Sequence, residues 1–98
     1  MSERVSVVVK VVARPDAGEP MRKLVLRLAA ESRKETGCIL YEVLQNNAEP
    51  NVFILYEQWE SSIHLDAHNK TRHFHEAVTN AQALLAQTLE VGRYRAIS

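Results

Sequence analysis

The stretch NVFILYEQWESSIHLDAH, residues 51–68, changes its period halfway along. In the first half Val52, Ile54 and Tyr56 alternate with Phe53, Leu55, Glu57 and Trp59. A period of two in β-branched and aromatic residues predicts a strand. At Glu60-Ser61-Ser62 the alternation breaks. Ser61 or Ser62 supplies a hydroxyl that can cap a helix by accepting from a backbone N–H of its first turn. Ile63, Leu65 and Ala67, mixed with His64, Asp66 and His68, then read as a short helix. A carboxylate (Glu57) and an indole (Trp59) thus share one strand face just ahead of a helix carrying two imidazoles. A chemical site is expected there first.

Working upstream, Asn46-Asn47-Ala48-Glu49-Pro50-Asn51 is a turn, and residues 38–45 before it alternate Ile39, Tyr41 and Val43 with Cys38, Leu40, Glu42 and Leu44. The two strands form a hairpin. Residues 5–13 make another strand, with Val5, Val7, Val9 and Val11 on one face and Ser6, Val8, Lys10 and Val12 on the other. Two largely apolar faces predict a central strand covered on both sides. Turn residues at Arg14-Pro15-Asp16-Ala17-Gly18 end it, and Pro20 suits the first turn of a helix over residues 19–35. Met21, Leu24, Val25, Leu28 and Ala29 recur there at helical spacing, and Gly37 is placed to stop the helix.

Downstream, residues 69–87 read as helical, with Phe74, Val78, Ala81, Leu84 and Leu85 as the buried stripe, and Thr79-Asn80 could break the helix into two pieces. Residues 89–97 form the last strand. The order β-α-β-β-α-β is the ferredoxin-like α+β arrangement, one antiparallel sheet with its helices on one face. The other face of the sheet is apolar as well, and so short a chain has no third layer to cover it. A second copy packing sheet to sheet answers this, so a homodimer is predicted.

The 98 residues make one domain, residues 1–98. Lys plus Arg and Asp plus Glu number 12 each and are scattered, so there is no basic stripe for nucleic acid. Cys38 is the single cysteine and forms no internal disulfide. No apolar run approaches the roughly 20 residues that span a bilayer, and Met1-Ser2-Glu3-Arg4 leads straight into a strand without the apolar core of a signal peptide. A cytoplasmic protein without membrane contact is expected.

The pieces Arg33-Lys34-Glu35-Thr36-Gly37-Cys38-Ile39-Leu40-Tyr41-Glu42, Phe53-Ile54-Leu55-Tyr56-Glu57-Gln58-Trp59, Leu65-Asp66-Ala67-His68 and His73-Phe74 arrive in an order that resembles the antibiotic biosynthesis monooxygenase domain family, which includes small quinol monooxygenases. As a set, E-x-G-C-x-x-Y and F-x-x-x-E-x-W followed by the two histidine pieces are specific, and they cover nearly the whole chain. The resemblance implies a dimeric α+β barrel with a cavity between sheet and second-half helices in each subunit. It also implies oxidation of phenols or quinols by O₂ with no metal, flavin or haem. The same scaffold serves haem-degrading enzymes, but their strand Asn has no counterpart among Val7, Val8, Val9, Val11 and Val12 here. It also serves an isomerase of a phosphorylated sugar, so fold alone does not fix the reaction.

Cofactor-free oxygenation needs a substrate that can give an electron to O₂, which deprotonation of a phenol or hydroquinone provides. His68 is the first candidate base, since imidazole titrates close to working pH. Glu57 would set its charge, and His73 is a further catalytic candidate. Trp59 and Phe74 would shape the pocket, and Tyr41 and Tyr56 could donate to a quinone oxygen. Each also has a plain structural role open to it: helix pin, bonded buried carboxylate, core aromatic. His64 and His68, four residues apart, could grip a metal on one helix face, but no Cys or Glu set completes the site, so no metal or other cofactor is expected. The expected partners are a small quinol-like aromatic and O₂. Two rival readings are a proton-transfer enzyme such as an isomerase, with Arg93 or Arg95 holding an anion, and a non-catalytic dimeric binding protein. A cavity lined by cations would favour the isomerase, and a dry aromatic cavity would favour oxygenation.

Overall fold

In a computed structural model describing residues 3–98, the alternating runs become β1 (Val5–Val12), β2 (Cys38–Gln45), β3 (Val52–Trp59) and β4 (Glu90–Tyr94). The helices are α1 (Gly18–Ser32), α2 (Ser62–Asn69) and α3 (Arg72–Gln82), with one 3₁₀ turn at Pro15–Ala17 ahead of α1. Met1 and Ser2, read above as leading directly into the first strand, lie outside the described residues. The sheet order is β2-β3-β1-β4 with every neighbouring pair antiparallel, which is the ferredoxin-like topology.

Register decides which side chains meet. Glu57 lies opposite Val7 on one side and Tyr41 on the other, and Val7 lies opposite Arg93. Tyr41, Glu57, Val7 and Arg93 thus form one row across the helix-covered face, because residues directly opposite in an antiparallel ladder point the same way. The next row is Val43, Leu55, Val9 and Val91. Met21, Val25, Leu28 and Ala29 of α1 are buried over these rows, as their helical spacing predicts.

Several boundaries differ from expectation. Helix α3 ends at Gln82 rather than residue 87, because Leu85 leaves the helix to bridge Ala13. Of the expected stripe Ala81 is buried, while Phe74, Val78, Leu84 and Leu85 are partly so. Helix α1 stops at Ser32 rather than at residue 35, because Lys34 N and Glu35 N bond three residues back, to Glu31 O and Ser32 O, and tighten the last turn. Gly37 then turns the chain at φ +86°, as its placement predicted, and a Cβ there would lie 2.3 Å from the His64 ring. The second-half helix breaks at Lys70-Thr71, not at Thr79-Asn80, which lie inside α3. Thr71 causes the break from both sides: its hydroxyl donates to His68 O at 2.7 Å and accepts from Phe74 N at 3.3 Å. Strand β4 ends at Tyr94 rather than residue 97, since Tyr94 already lies opposite Ser6 and β1 offers only Val5 beyond it.

The uncovered face of the sheet carries Val8, Leu40, Ile54 and Tyr56, rimmed by Lys10, Glu42 and Gln58. Leu44, also on this face, is half exposed. Among the described residues no helix is long and apolar enough to cross a membrane.

Candidate active site

A buried imidazole organises the site. The Ser61 hydroxyl caps α2 by accepting from His64 N at 3.3 Å, and two turns of helix then deliver His68 onto the sheet, where it is 1% exposed. Its Nδ1 lies 2.7 Å from Glu35 Oε2, and its Nε2 stands 3.9 Å from Glu57 Oε1. Trp59 lies against the ring at 4.6 Å between centroids, with the planes 35° apart, and the edge of Phe74 approaches at 5.2 Å. Glu35 Oε2 also lies 2.7 Å from His73 Nε2, on α3. One carboxylate oxygen from the turn after α1 therefore ties two helices together.

Carboxylates accept, so the two ring N–H groups donate to Glu35. For His68 this places the proton on Nδ1 and leaves the Nε2 lone pair free on the other edge of the ring. Together with Glu57, the residue 3.9 Å from that nitrogen, His68 lines a cavity of about 180 Å³ between the sheet and helices α1 and α3. Val9, Val25, Leu55 and Phe74 are typical of its lining, while Tyr41, Glu57, His68 and Arg93 bring the reactive groups. Burial pulls the His68 pKa down, with Glu35 resisting, so the ring stays neutral and basic at neutral pH.

Glu57 shows the opposite response to the same environment. Burial pushes its carboxyl up to about 7, against hydrogen bonds from Trp59 and Tyr41 that favour the charged form. The indole N–H donates to Glu57 Oε1 at 3.0 Å. Tyr41 is itself pushed well above the ordinary phenol range, by burial first and the neighbouring Glu57 second. The pair is a phenol that stays protonated beside a carboxyl poised between its two forms.

That poise makes stability depend on pH. Glu57 holds its proton up to about pH 7 in the folded chain but loses it near 4.5 when unfolded, so native protein binds the extra proton between these values. The Glu57 contribution to stability is therefore full below the unfolded value and falls as pH rises to about 7. Glu57→Gln removes the charge and keeps an oxygen for Trp59. The variant is expected to gain on the wild type by up to roughly 3 kcal/mol between pH 5 and pH 8 in urea unfolding. An unchanging gap across that range would remove the buried-proton account.

His68, Glu57, Tyr41 and Phe74 come together at the cavity, while His73 reaches the cluster only through Glu35 and lines a surface groove instead. Two further candidates lie off the cavity. Tyr56 lies on the uncovered face of the sheet, bonded to Gln58 Nε2 at 2.8 Å, because its position in β3 alternates with that of Glu57. Trp59 is 0% exposed and stands behind the His68 ring rather than at the cavity surface, so it supports the ring instead of touching a substrate. The His64–His68 metal grip is absent: His64 Nδ1 engages Ser61 Oγ at 2.8 Å and His64 Nε2 lies 4.0 Å from Glu60. Ligand atoms of Glu35, His68 and His73 instead lie within 4.8 Å of one another. Glu35 is the residue of this cluster that sequence reasoning missed. Its one signal was its place in Glu-x-Gly-Cys, just where the helix must stop.

Residues 4–80 match the sequence profile of the family described as antibiotic biosynthesis monooxygenase. A protein of Synechocystis, without assigned activity, is 35% identical over 84% of this chain, and the match spans only 56% of that relative's length. The Mycobacterium tuberculosis protein Rv0793, whose name marks it as a candidate monooxygenase, is 32% identical over 76% of this chain and 72% of its own. Its solved structure superposes with a TM-score of 0.92, at 25% identity over 98% of this chain and 97% of that one. A structure from Pseudomonas aeruginosa superposes equally well, with a TM-score of 0.92 at 28% identity over 100% of this chain and 98% of the other.

Proposed function

Since the chain belongs to the antibiotic biosynthesis monooxygenase family, we propose that it is a cofactor-independent monooxygenase acting on a quinol or similarly electron-rich aromatic. The observation that carries this reading is that His68 lines an apolar cavity while Glu35 holds its Nδ1, which leaves the Nε2 lone pair unclaimed.

His68 takes a proton from the substrate hydroxyl, and the Glu35 carboxylate stabilises the imidazolium that forms. The resulting phenolate passes one electron to O₂. Radical recombination makes a carbon–oxygen bond on the ring, and cleavage of the O–O bond then releases water as the proton returns. One hydroquinone and one O₂ give one hydroxyquinone and one water, the ring supplying all four electrons. The aliphatic walls suit O₂ and keep bulk water from quenching the intermediates. A cavity of about 180 Å³ suits a single substituted ring, given that a dry cavity of roughly 150 Å³ holds benzene.

Among the described residues Arg93 is the lone Lys or Arg in the cavity's lining, and it lies 3.9 Å from Asp66, which favours oxygenation over an isomerase acting on an anion. The same cavity, with His68 Nε2 beyond hydrogen-bond reach of Glu57, weighs against a mere binding protein. The test is oxygen uptake by purified protein, stripped of metal by chelator, with a panel of one-ring hydroquinones and catechols. Uptake above autoxidation supports the reading, and its absence across the panel overturns it.

The reading includes a cytoplasmic homodimer joined through the uncovered sheet face, with Val8, Leu40, Ile54 and Tyr56 at its centre. Sedimentation at micromolar concentration is expected to give twice the chain mass, and Ile54→Asp to give the single mass. A monomeric wild type would refute the assembly.

A further inference from the structure

Beyond that reaction, we propose that Glu35, His68 and His73 form a binding site for a divalent transition-metal ion of the Zn²⁺ class, and that the ion turns His68 from a base into a hydrogen-bond donor. The first half stands on geometry alone; the second rests on the function proposed above.

The three ligand atoms come from three separate elements, the turn after α1, α2 and α3, and converge within 4.8 Å. Two imidazole nitrogens and a carboxylate oxygen are a donor set that zinc accepts with water as its fourth ligand. Glu35 Oε2 sits 2.7 Å from each ring nitrogen, in the space between them that an ion would take. The site therefore fills when this oxygen moves aside and both nitrogens give up their protons. Glu35 can move because it stands in a turn beyond the end of α1. An ion also has a way in: His73 retains 27% of its side-chain exposure and lines a surface groove between α1 and α3, whose charged walls carry Glu31 and Glu76 beside Lys23, Arg27 and Arg72.

The surroundings suit a metal-bound histidine as well. With an ion on Nδ1, the remaining ring proton must sit on Nε2, 3.9 Å from Glu57 Oε1. A carboxylate bonded to the far nitrogen orients ligating histidines in metal sites generally. Glu57 would fill that role by closing the remaining distance of roughly 1 Å to hydrogen-bond range. The same proton shift abolishes the lone pair that would deprotonate a quinol. One ion then does two things at once: it clamps three elements together, and it leaves the cavity without its base.

Calorimetric titration of the metal-free full chain with ZnCl₂, in a buffer that does not bind zinc, tests the site. One equivalent should bind, and His73→Ala and Glu35→Gln should each weaken binding by more than about tenfold, the loss that even an outer partner of a metal site can cause. Equal affinity in wild type and both variants would overturn the site, since the ion would then be resting on other surface groups. Failure of the wild type to bind at millimolar zinc would overturn it too. Ring-nitrogen NMR tests the switch: the His68 proton should move from Nδ1 to Nε2 when zinc is added, and an unmoved proton refutes it. Both readouts are independent of turnover, so a failed oxygenase assay leaves them intact. Where uptake is measurable, zinc should suppress it in the wild type, and that suppression, relative to each protein's own metal-free rate, should vanish in His73→Ala.

Discussion

Replacing His68 by Gln is expected to lower quinol-dependent oxygen uptake by about 10²–10⁴-fold, the usual yield of a positioned general base. Gln keeps much of the volume between Trp59 and Phe74 but has no lone pair of imidazole basicity. Most of the loss should fall on kcat, because the apolar walls that bind the ring are untouched. Glu35→Gln should follow in the same direction. An amide can turn its NH₂ toward Nδ1, which would move the ring proton to Nε2 and hide the base, and a tautomer error of this kind costs about 10⁴-fold in a serine protease. The pH dependence has a defined sign. Burial depresses the His68 pKa, so the base form should persist on the acid side of the ordinary histidine range, with uptake falling only below it. Removing Glu35, which holds that pKa up, should move the acid limb lower still. If His68→Gln retained uptake within about threefold of the wild type, proton removal would have to be assigned to another group, with Glu57 the next in the cavity.

Much of this arrangement is legible in the sequence because alternation in a strand is a geometric statement. Val5–Val11 and Phe53–Trp59 each place every second residue on one face, and the register pairs those faces as the pattern requires. The same rule exposes one error. Tyr56 and Glu57 are adjacent in a strand, so a single chain cannot bring both to one cavity, and Tyr56 belongs to the face assigned here to the dimer. Trp59 shares the correct face but stands at the end of β3, where α2 sets the His68 ring between it and the cavity. Glu35 was illegible for another reason. Its position continues the helical pattern of residues 19–35, and only the early stop at Ser32, made by three-residue backbone bonds, releases its side chain toward His68. A helix end is decided by such local bonds and by what waits beyond it, and residue spacing reports neither.

Trp59→Ala should destabilise the fold by about 3–5 kcal/mol, near half the stability of a typical small domain. The indole is 0% exposed and lies in register between Val5 and Cys38, so nothing nearby is free to collapse into the space it leaves. Two losses are combined in that figure, and Trp59→Phe separates them. Phenylalanine keeps most of the packing against His68 but removes the N–H that donates to Glu57 Oε1, a buried bond whose loss costs about 1–3 kcal/mol. Because that donor favours the charged carboxylate, its removal should also drive the Glu57 pKa above its value of about 7. Urea unfolding at pH 7 is expected to rank wild type, Trp59→Phe and Trp59→Ala in that order at a common m value. A loss below about 1 kcal/mol in Trp59→Ala would show that the ring is not the support proposed. The Phe variant carries the sharper distinction for function. Trp59 does not line the cavity, so Trp59→Phe should leave KM for a one-ring quinol nearly unchanged while shifting the pH profile through Glu57. A purely structural core residue would leave the pH profile where it is.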